Sequence, residues 1–224
     1  MKSLESILKT FPSTKVIDST IDYSKYIPLD LSISNQELEN QSENSADFED
    51  FIFNYLKKNN AKVAFGGYIE GRGLYQRSPI FKNGLTPDRN IHIGLDLWIE
   101  AGTPVLAPLD GTIHSFKNNV GLGDYGPTII LEHKIENQKF YTLYGHLSLE
   151  SIEGINIGQF FKKGEYLASI GNSEVNGDYA PHLHFQIIKN IESYWGDYPG
   201  VCNTSDLNFY IENCPDPNLL LKIT

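Results

Sequence analysis

A succession of short, strand-length segments separated by glycine-containing turns is the feature that most restricts the fold of this chain. Between residues 91 and 188 these segments read IHIGLDLW, TPVLAP, GTIHSF, PTIILEH, FYTLYGHL, FKKGEYLASIG and HLHFQII. Each has roughly the length of a β-strand, and turns such as Asp110-Gly111 and Lys163-Gly164 separate them. Many short strands with this spacing favour a sandwich or a barrel over a βαβ fold. We therefore predict a mainly β fold, a compact antiparallel β-sandwich or barrel-sandwich.

The residues before this region predict one helix and an arm. Residues 1–43 are polar and acidic without a sustained period, whereas the segment at 44–60 has one apolar stripe. Asn44 or Ser45 can cap the helix, and lysines close it. We predict three regions: an extended arm with an amphipathic helix (1–60), a β domain (61–190), and a C-terminal tail packed on that domain (191–224).

Composition excludes several classes of partner. The formal charge is −10 over 224 residues, which disfavours a nucleic-acid partner. No segment approaches the roughly 20 apolar residues of a membrane span, and the N-terminus has no unbroken apolar run. We predict a cytoplasmic location and no membrane partner, with a periplasmic or extracellular location as the alternative. Cys202 and Cys214 favour a reduced pair, with a single local disulfide as the alternative.

Two histidine motifs carry the chemistry. In HLHF, His182 and His184 are two residues apart, so a strand would place both rings on one face. In HIGLD, His92 and Asp96 are four apart, again on one face of a strand, and Gly94 between them disfavours a helix. Two imidazoles and one carboxylate make a plausible zinc set with a fourth position left for water. A second imidazole nearby could then take a proton from that water.

The joint occurrence of these motifs resembles the LytM/lysostaphin-type zinc metallopeptidases of family M23. The matching pieces are HIGLD at 92–96, AGTPVLAPLDGTI at 101–113, LYGHLS at 143–148, KKGEYLASIG at 162–171 and PHLHFQ at 181–186. The resemblance implies that His92, Asp96 and His184 bind Zn²⁺ and that His146 and His182 are the catalytic pair. The upstream stretch at 75–81 resembles the family's segment before the first ligand more loosely.

The resemblance implies a zinc-dependent metalloendopeptidase that cleaves peptide bonds in peptidoglycan-type or glycine-rich peptides, with a peptide or muropeptide as substrate. Segments GLYQRSPIF, LYGHLS and DYPGVCN resemble more closely a subset of M23 domains found in cytoplasmic fusions with aminotransferase-like partners. Two alternatives follow: a cytoplasmic metal-dependent amide hydrolase on a non-wall substrate, or a non-catalytic interaction or regulator module. The oligomeric state has no signal in the sequence.

Other aromatic and polar residues have no assigned role. His114 and His133 lack a motif partner, and we expect each on a solvated strand face. Trp98 could line a cleft or pack as an ordinary core aromatic. Asp124, Tyr125 and Tyr179 belong to glycine-rich loops that could form groove walls.

Overall fold

The computed structural model is mainly β and describes residues 2–35, 38, 44–73 and 89–223. Thirteen strands and four α-helices lie within those residues. The strands are β1 (Tyr26–Pro28), β2 (Val63–Gly66), β3 (Glu70–Gly71), β4 (Ile91–His92), β5 (Leu95–Trp98), β6 (Pro104–Leu106), β7 (Gly111–Asn119), β8 (Gly126–Ile135), β9 (Gln138–Gly145), β10 (Phe160–Phe161), β11 (Tyr166–Ser169), β12 (His182–Ile188) and β13 (Val201–Cys202). The helices are α1 (Leu4–Thr10), α2 (Ser45–Lys58), α3 (Leu207–Asn213) and α4 (Asn218–Leu221). All seven predicted segments contain strand, although 91–98 and 161–171 are each divided between two strands, and the predicted helix is confirmed.

Three sheets organise the strands. The largest has eight strands in the order β1-β2-β5-β12-β9-β8-β7-β10, antiparallel except for the parallel pair β1 and β2. A two-stranded sheet joins β11 to β6, and a three-stranded sheet has the order β13-β4-β3. All seven residues of β12 are buried, which is expected for a central strand covered on both faces.

The chain ends complete the core. Leu4 and Leu8 of α1 and Leu220 and Leu221 at α4 join the main apolar cluster beneath the large sheet. Helices α1, α3 and α4 were not predicted, and α1 lies within the segment that we expected to be extended. A seven-residue and a four-residue helix contain too few turns to show an apolar period, and their stability comes from packing.

Helix α2 covers one end of the large sheet. Asn44 is its N-cap, and the side chain accepts a hydrogen bond from the backbone N–H of Asp47. Its buried residues Ile52 and Leu56 pack in a second apolar cluster with Trp98 of β5. The predicted cap and apolar stripe therefore place this helix against the strand that carries Asp96.

The side chain of His133 differs from what the sequence predicted. His133 is buried, not solvated: its Nδ1–H donates to the carbonyl of Asp110, and its Nε2 lies 2.7 Å from the Thr142 hydroxyl. A residue of β9 and a turn carbonyl cover a position that the strand pattern alone would leave exposed. His114 is partly exposed. Cys202 and Cys214 are free and buried.

Among the described residues, no helix combines the length and the apolar character that a bilayer span requires.

Candidate metal centre

Strand register brings two of the predicted metal ligands face to face. In the antiparallel pair β12 and β5, His184 is the direct partner of Asp96, and His182 is the partner of Trp98. His184 and His182 therefore project from the same face of β12, as predicted. The large sheet alone thus fixes the carboxylate and one imidazole.

His92 reaches the same point from another sheet. We predicted that a single strand presents His92 and Asp96 on one face, and this was wrong: β4 ends at His92 and β5 begins at Leu95. His92 pairs with Glu70 and Val201 in the three-stranded sheet. The chain passes from one sheet to the other between these strands, so the site lies where the two sheets meet.

Gly94 makes this junction possible. A Cβ added to Gly94 would lie 2.4 Å from Cε1 and 2.5 Å from Nε2 of His184. No side chain is accommodated at that distance without displacing the imidazole. The glycine in HIGLD therefore gives His184 the space that it needs beside β4 and β5.

The three predicted ligands converge within the core. His92, Asp96 and His184 are all buried, and one ligand atom from each lies within 4.8 Å of the others. His92 Nε2 is 2.9 Å from His184 Nδ1, and Asp96 Oδ1 is 3.2 Å and 3.1 Å from these two nitrogens. The structure thus brings together the whole ligand set that the motifs suggested.

The hydrogen bonds around these histidines indicate which ring nitrogen has the lone pair. His92 Nδ1–H donates to the carbonyl of Gly67 at 2.8 Å, and His184 Nε2–H donates to Gln186 Oε1 at 2.9 Å. Because a neutral imidazole carries one N–H, the nitrogens that face each other are both acceptors. Burial is the main reason that the pKa of His92 falls to about 4, so this ring is neutral at pH 7.

Asp96 completes a set of three electron-rich atoms. Burial raises the pKa of this carboxyl, but the neighbouring histidines and Arg72 together lower it more, and the net pKa lies well below its usual value. Two lone pairs and a carboxylate oxygen at about 3 Å repel one another unless a cation lies between them. Two imidazole nitrogens and a carboxylate oxygen are a zinc-type donor set. The residues present therefore fit a divalent metal ion.

Arg72 is a site residue that the sequence analysis missed. Its Nη1 donates to Asp96 Oδ2 at 2.6 Å, and its Nε donates to Glu70 Oε2 at 2.5 Å. Asp96 therefore directs Oδ2 to the guanidinium and Oδ1 to the histidines. The guanidinium carbon also lies 5.4 Å from the centroid of the Trp98 ring. No motif surrounds Arg72, which a β-strand only two residues long places beside the site.

The remaining two predicted residues lie next to this centre. His182 Nδ1–H donates to the Ala180 carbonyl and His146 Nδ1–H to the Asn176 carbonyl, each at 2.8 Å. Each ring therefore keeps its lone pair on Nε2, and His182 Nε2 is 4.0 Å from Asp96 Oδ1. The two ring centroids are 4.2 Å apart. Burial is the main cause of a lowered pKa in both rings.

The backbone of His146 has a left-handed conformation, with φ at 61°. A non-glycine residue there is uncommon, although histidine tolerates it better than most residues. The residue follows directly on the last residue of β9, Gly145. The turn at the end of the strand thus directs the ring toward His182.

A cleft of about 270 Å³ contains all five predicted site residues. Trp98, Asp124, Tyr125 and Tyr179 also line it, which answers the question that the sequence left open for them. Tyr125 Oη lies 3.4 Å from His184 Nε2. The stretch at 75–81 that resembles the family's upstream segment lies outside the described residues.

The model of peptidase family M23 matches residues 90–194. Residues 90–194 therefore resemble the peptidases of family M23. All five predicted site residues lie inside the matched range, whereas Arg72 precedes it.

Curated relatives match over a similar number of residues. An uncharacterised metalloprotease of Haemophilus influenzae is 36% identical over 95 residues, 42% of this chain and 18% of its own length. Another from Buchnera aphidicola is 30% identical over 105 residues, 47% of this chain and 25% of its own length. This chain therefore matches about a fifth to a quarter of these relatives.

Solved structures of M23-type proteins are also similar. The catalytic domain of lysostaphin from Staphylococcus simulans is 25% identical over 68% of this chain and 93% of its own, with a TM-score of 0.39. LytU is 26% identical over 60% of this chain and 81% of its own, with a TM-score of 0.37.

Proposed function

We propose that the chain is a zinc-dependent metallopeptidase that hydrolyses peptide bonds, with His92, Asp96 and His184 as the metal ligands. The observation that carries this proposal is the meeting of three buried electron-rich atoms at about 3 Å. That arrangement is unfavourable without a cation and suits a zinc ion with an open coordination position. The intact ligand set also favours an enzyme over a non-catalytic module of the same fold.

His182 and His146 have separate roles in the proposed reaction. A zinc ion held by His92, Asp96 and His184 would supply an activated water and polarise the scissile carbonyl. His182 takes the proton of the attacking water on Nε2, because its Nδ1–H is held by the Ala180 carbonyl. His146 is held in the same way by the Asn176 carbonyl, so its Nε2 is a second acceptor that orients the attacking water beside His182. His182 then delivers the proton to the leaving amine.

The substrate class that we propose is a peptide of peptidoglycan type or a glycine-rich peptide. Lysostaphin, which resembles this chain, is described as an antimicrobial peptidase. A cleft of about 270 Å³ lies at the small end of the usual range for ligand pockets, and it suits a short peptide segment.

Metal content and peptide cleavage test this proposal together. The purified full chain, loaded with zinc, is incubated with muropeptides and with oligoglycine peptides, and the products are identified by mass spectrometry. We expect one bound zinc per chain, cleavage that a chelator abolishes, and recovery when zinc is added back. His184→Ala should lose the metal, whereas His114→Ala removes a histidine outside the cleft and should keep both metal and activity. A folded chain without stoichiometric metal would contradict the proposal.

A further inference from the structure

The cleft has an apolar wall beside His182, and residues from before position 90 form part of it. We propose that this wall selects peptides with an apolar side chain next to the bond that is cleaved. The inference rests on the proposed function and narrows its substrate class. The residues of the wall are Leu31, Phe48, Trp98 and Ala180.

These four residues share two properties. All of them line the same cleft as His92, Asp96 and His184. All of them also belong to one apolar cluster, which extends behind the cleft into α2 and contains Ile52 and Leu56. Leu31 and Phe48 precede the range matched by the M23 model. The wall therefore combines two residues of the matched range with two that this chain adds to it.

The wall is adjacent to the proposed chemistry. Trp98 is the strand partner of His182, and the two rings stack with centroids 5.7 Å apart and planes inclined by 23°. Ala180 provides the carbonyl that accepts the His182 Nδ1–H. A substrate residue that touches this surface must therefore be at or next to the bond that is attacked.

Several contacts hold the wall in place before any substrate arrives. The Ser45 hydroxyl at the start of α2 donates to Asp178, which lies in the loop that precedes His182. Tyr55 Oη in the same helix donates to the carbonyl of Pro28 at 2.7 Å. The backbone N–H of Leu31 donates to Glu70 Oε1 at 3.1 Å. A surface fixed in this way requires no ordering when it binds.

An apolar surface of this kind distinguishes side chains by the area that they cover. A leucine or alanine side chain of the substrate that contacts the wall buries its own apolar surface and part of that of Phe48. A glycine has no side chain to do so, and the wall stays in contact with water. Differences of one or a few methylene groups in apolar pockets are worth about 10-fold to 200-fold in specificity. The cleft is also lined by charged residues, which belong to other segments of the chain than the wall: Arg89, Asp124 and Asp197.

The test uses small metal-binding inhibitors, so that it does not depend on knowing the substrate. N-acetylglycine hydroxamate and N-acetylleucine hydroxamate are titrated into the zinc-loaded full chain by calorimetry. We expect the leucine compound to bind at least about 10-fold more tightly. Phe48→Ala should reduce that ratio several-fold. Its matched control is Phe51→Ala, because Phe51 lies on the same helix, 5.9 Å from the Phe48 ring, and packs in the same cluster without lining the cleft.

The possible outcomes separate the two proposals. Equal binding of the two hydroxamates, or an equal loss of the ratio in both variants, overturns the apolar wall and leaves the peptidase proposal standing. A chain that takes up no zinc and binds neither hydroxamate overturns the proposed function, and the wall with it. A ratio that falls in Phe48→Ala and persists in Phe51→Ala supports the inference.

Discussion

Replacement of Gln186 by leucine should weaken metal binding without removing a ligand. Gln186 is buried at the position two residues beyond His184 on β12, and its Oε1 accepts the His184 Nε2–H at 2.9 Å. This bond leaves the lone pair on Nδ1, the nitrogen that faces His92 and Asp96. Leucine has a similar size and no acceptor, so the imidazole loses the partner that selects its tautomer.

The expected loss follows from the geometry. Mutation of a residue that orients a metal ligand typically costs 10-fold to 100-fold in metal affinity, which is about 1.4–2.7 kcal/mol. Tyr125 Oη is the other oxygen near Nε2, but at 3.4 Å it is too distant for a strong replacement. Glutamate at position 186 keeps the acceptor, so Gln186→Glu should retain more of the affinity than Gln186→Leu.

Competition with a chromophoric chelator measures the zinc affinity of each variant directly. Thr142→Val is the matched control, because Thr142 is a buried polar residue opposite Ile187 of β12 and hydrogen-bonds away from the site, to His133 and Tyr144. Both variants should lose stability, and only Gln186→Leu should lose zinc affinity. Unchanged affinity in a folded Gln186→Leu protein would refute the reasoning.

Three other changes have defined outcomes. His182→Ala should bind zinc almost as tightly as the unaltered chain, as metal analysis will show, while the rate of peptide cleavage falls by 100-fold or more, about the share of one general base; loss of the metal would contradict its role. Gly94→Ala should displace His184, since its Cβ would lie 2.4 Å from that ring, and should reduce zinc uptake; normal uptake would show that the junction yields. Burial lowers the pKa of His133 from 6.5 to about 4, so its contribution to the free energy of unfolding is full above pH 6.5 and falls as the pH drops toward 4, by about 2 to 3 kcal/mol at pH 4.5. The free energy of unfolding, measured with urea at pH 7 and pH 4.5, should therefore fall less in His133→Gln than in the unaltered chain. Equal decreases in the two proteins would contradict this prediction.

The local pattern of the chain predicted the strands and the chemistry better than it predicted the connections. Alternation and glycine turns fixed the strand segments, because both signals are local. The ligand set came from the resemblance to family M23 that motifs such as HIGLD and HLHF carry, because the spacing of each motif alone left the choice of histidines open. The break between His92 and Leu95 was not foreseen, since a change of sheet depends on what packs around Gly94.

Residues that act through long-range contacts had no comparable signal. Arg72 meets Asp96 across 24 positions of sequence, and nothing near Arg72 marks it as part of a site. His133 was expected in solvent because the turn carbonyl that buries it is 23 positions away. Gln186 could have been found, since it shares a strand face with His182 and His184.

The position of the ligands on two different sheets has a consequence for how the molecule holds together. His92 belongs to the three-stranded sheet and the other two ligands to the eight-stranded one, so an ion bound by all three would link the two sheets beside the chain segment that already connects them. Removal of the ion by a chelator should therefore favour local opening of the three-stranded sheet first. The backbone amides of Gly71, Ile91 and Cys202 should then exchange hydrogen faster, while exchange at the centre of the eight-stranded sheet stays slow.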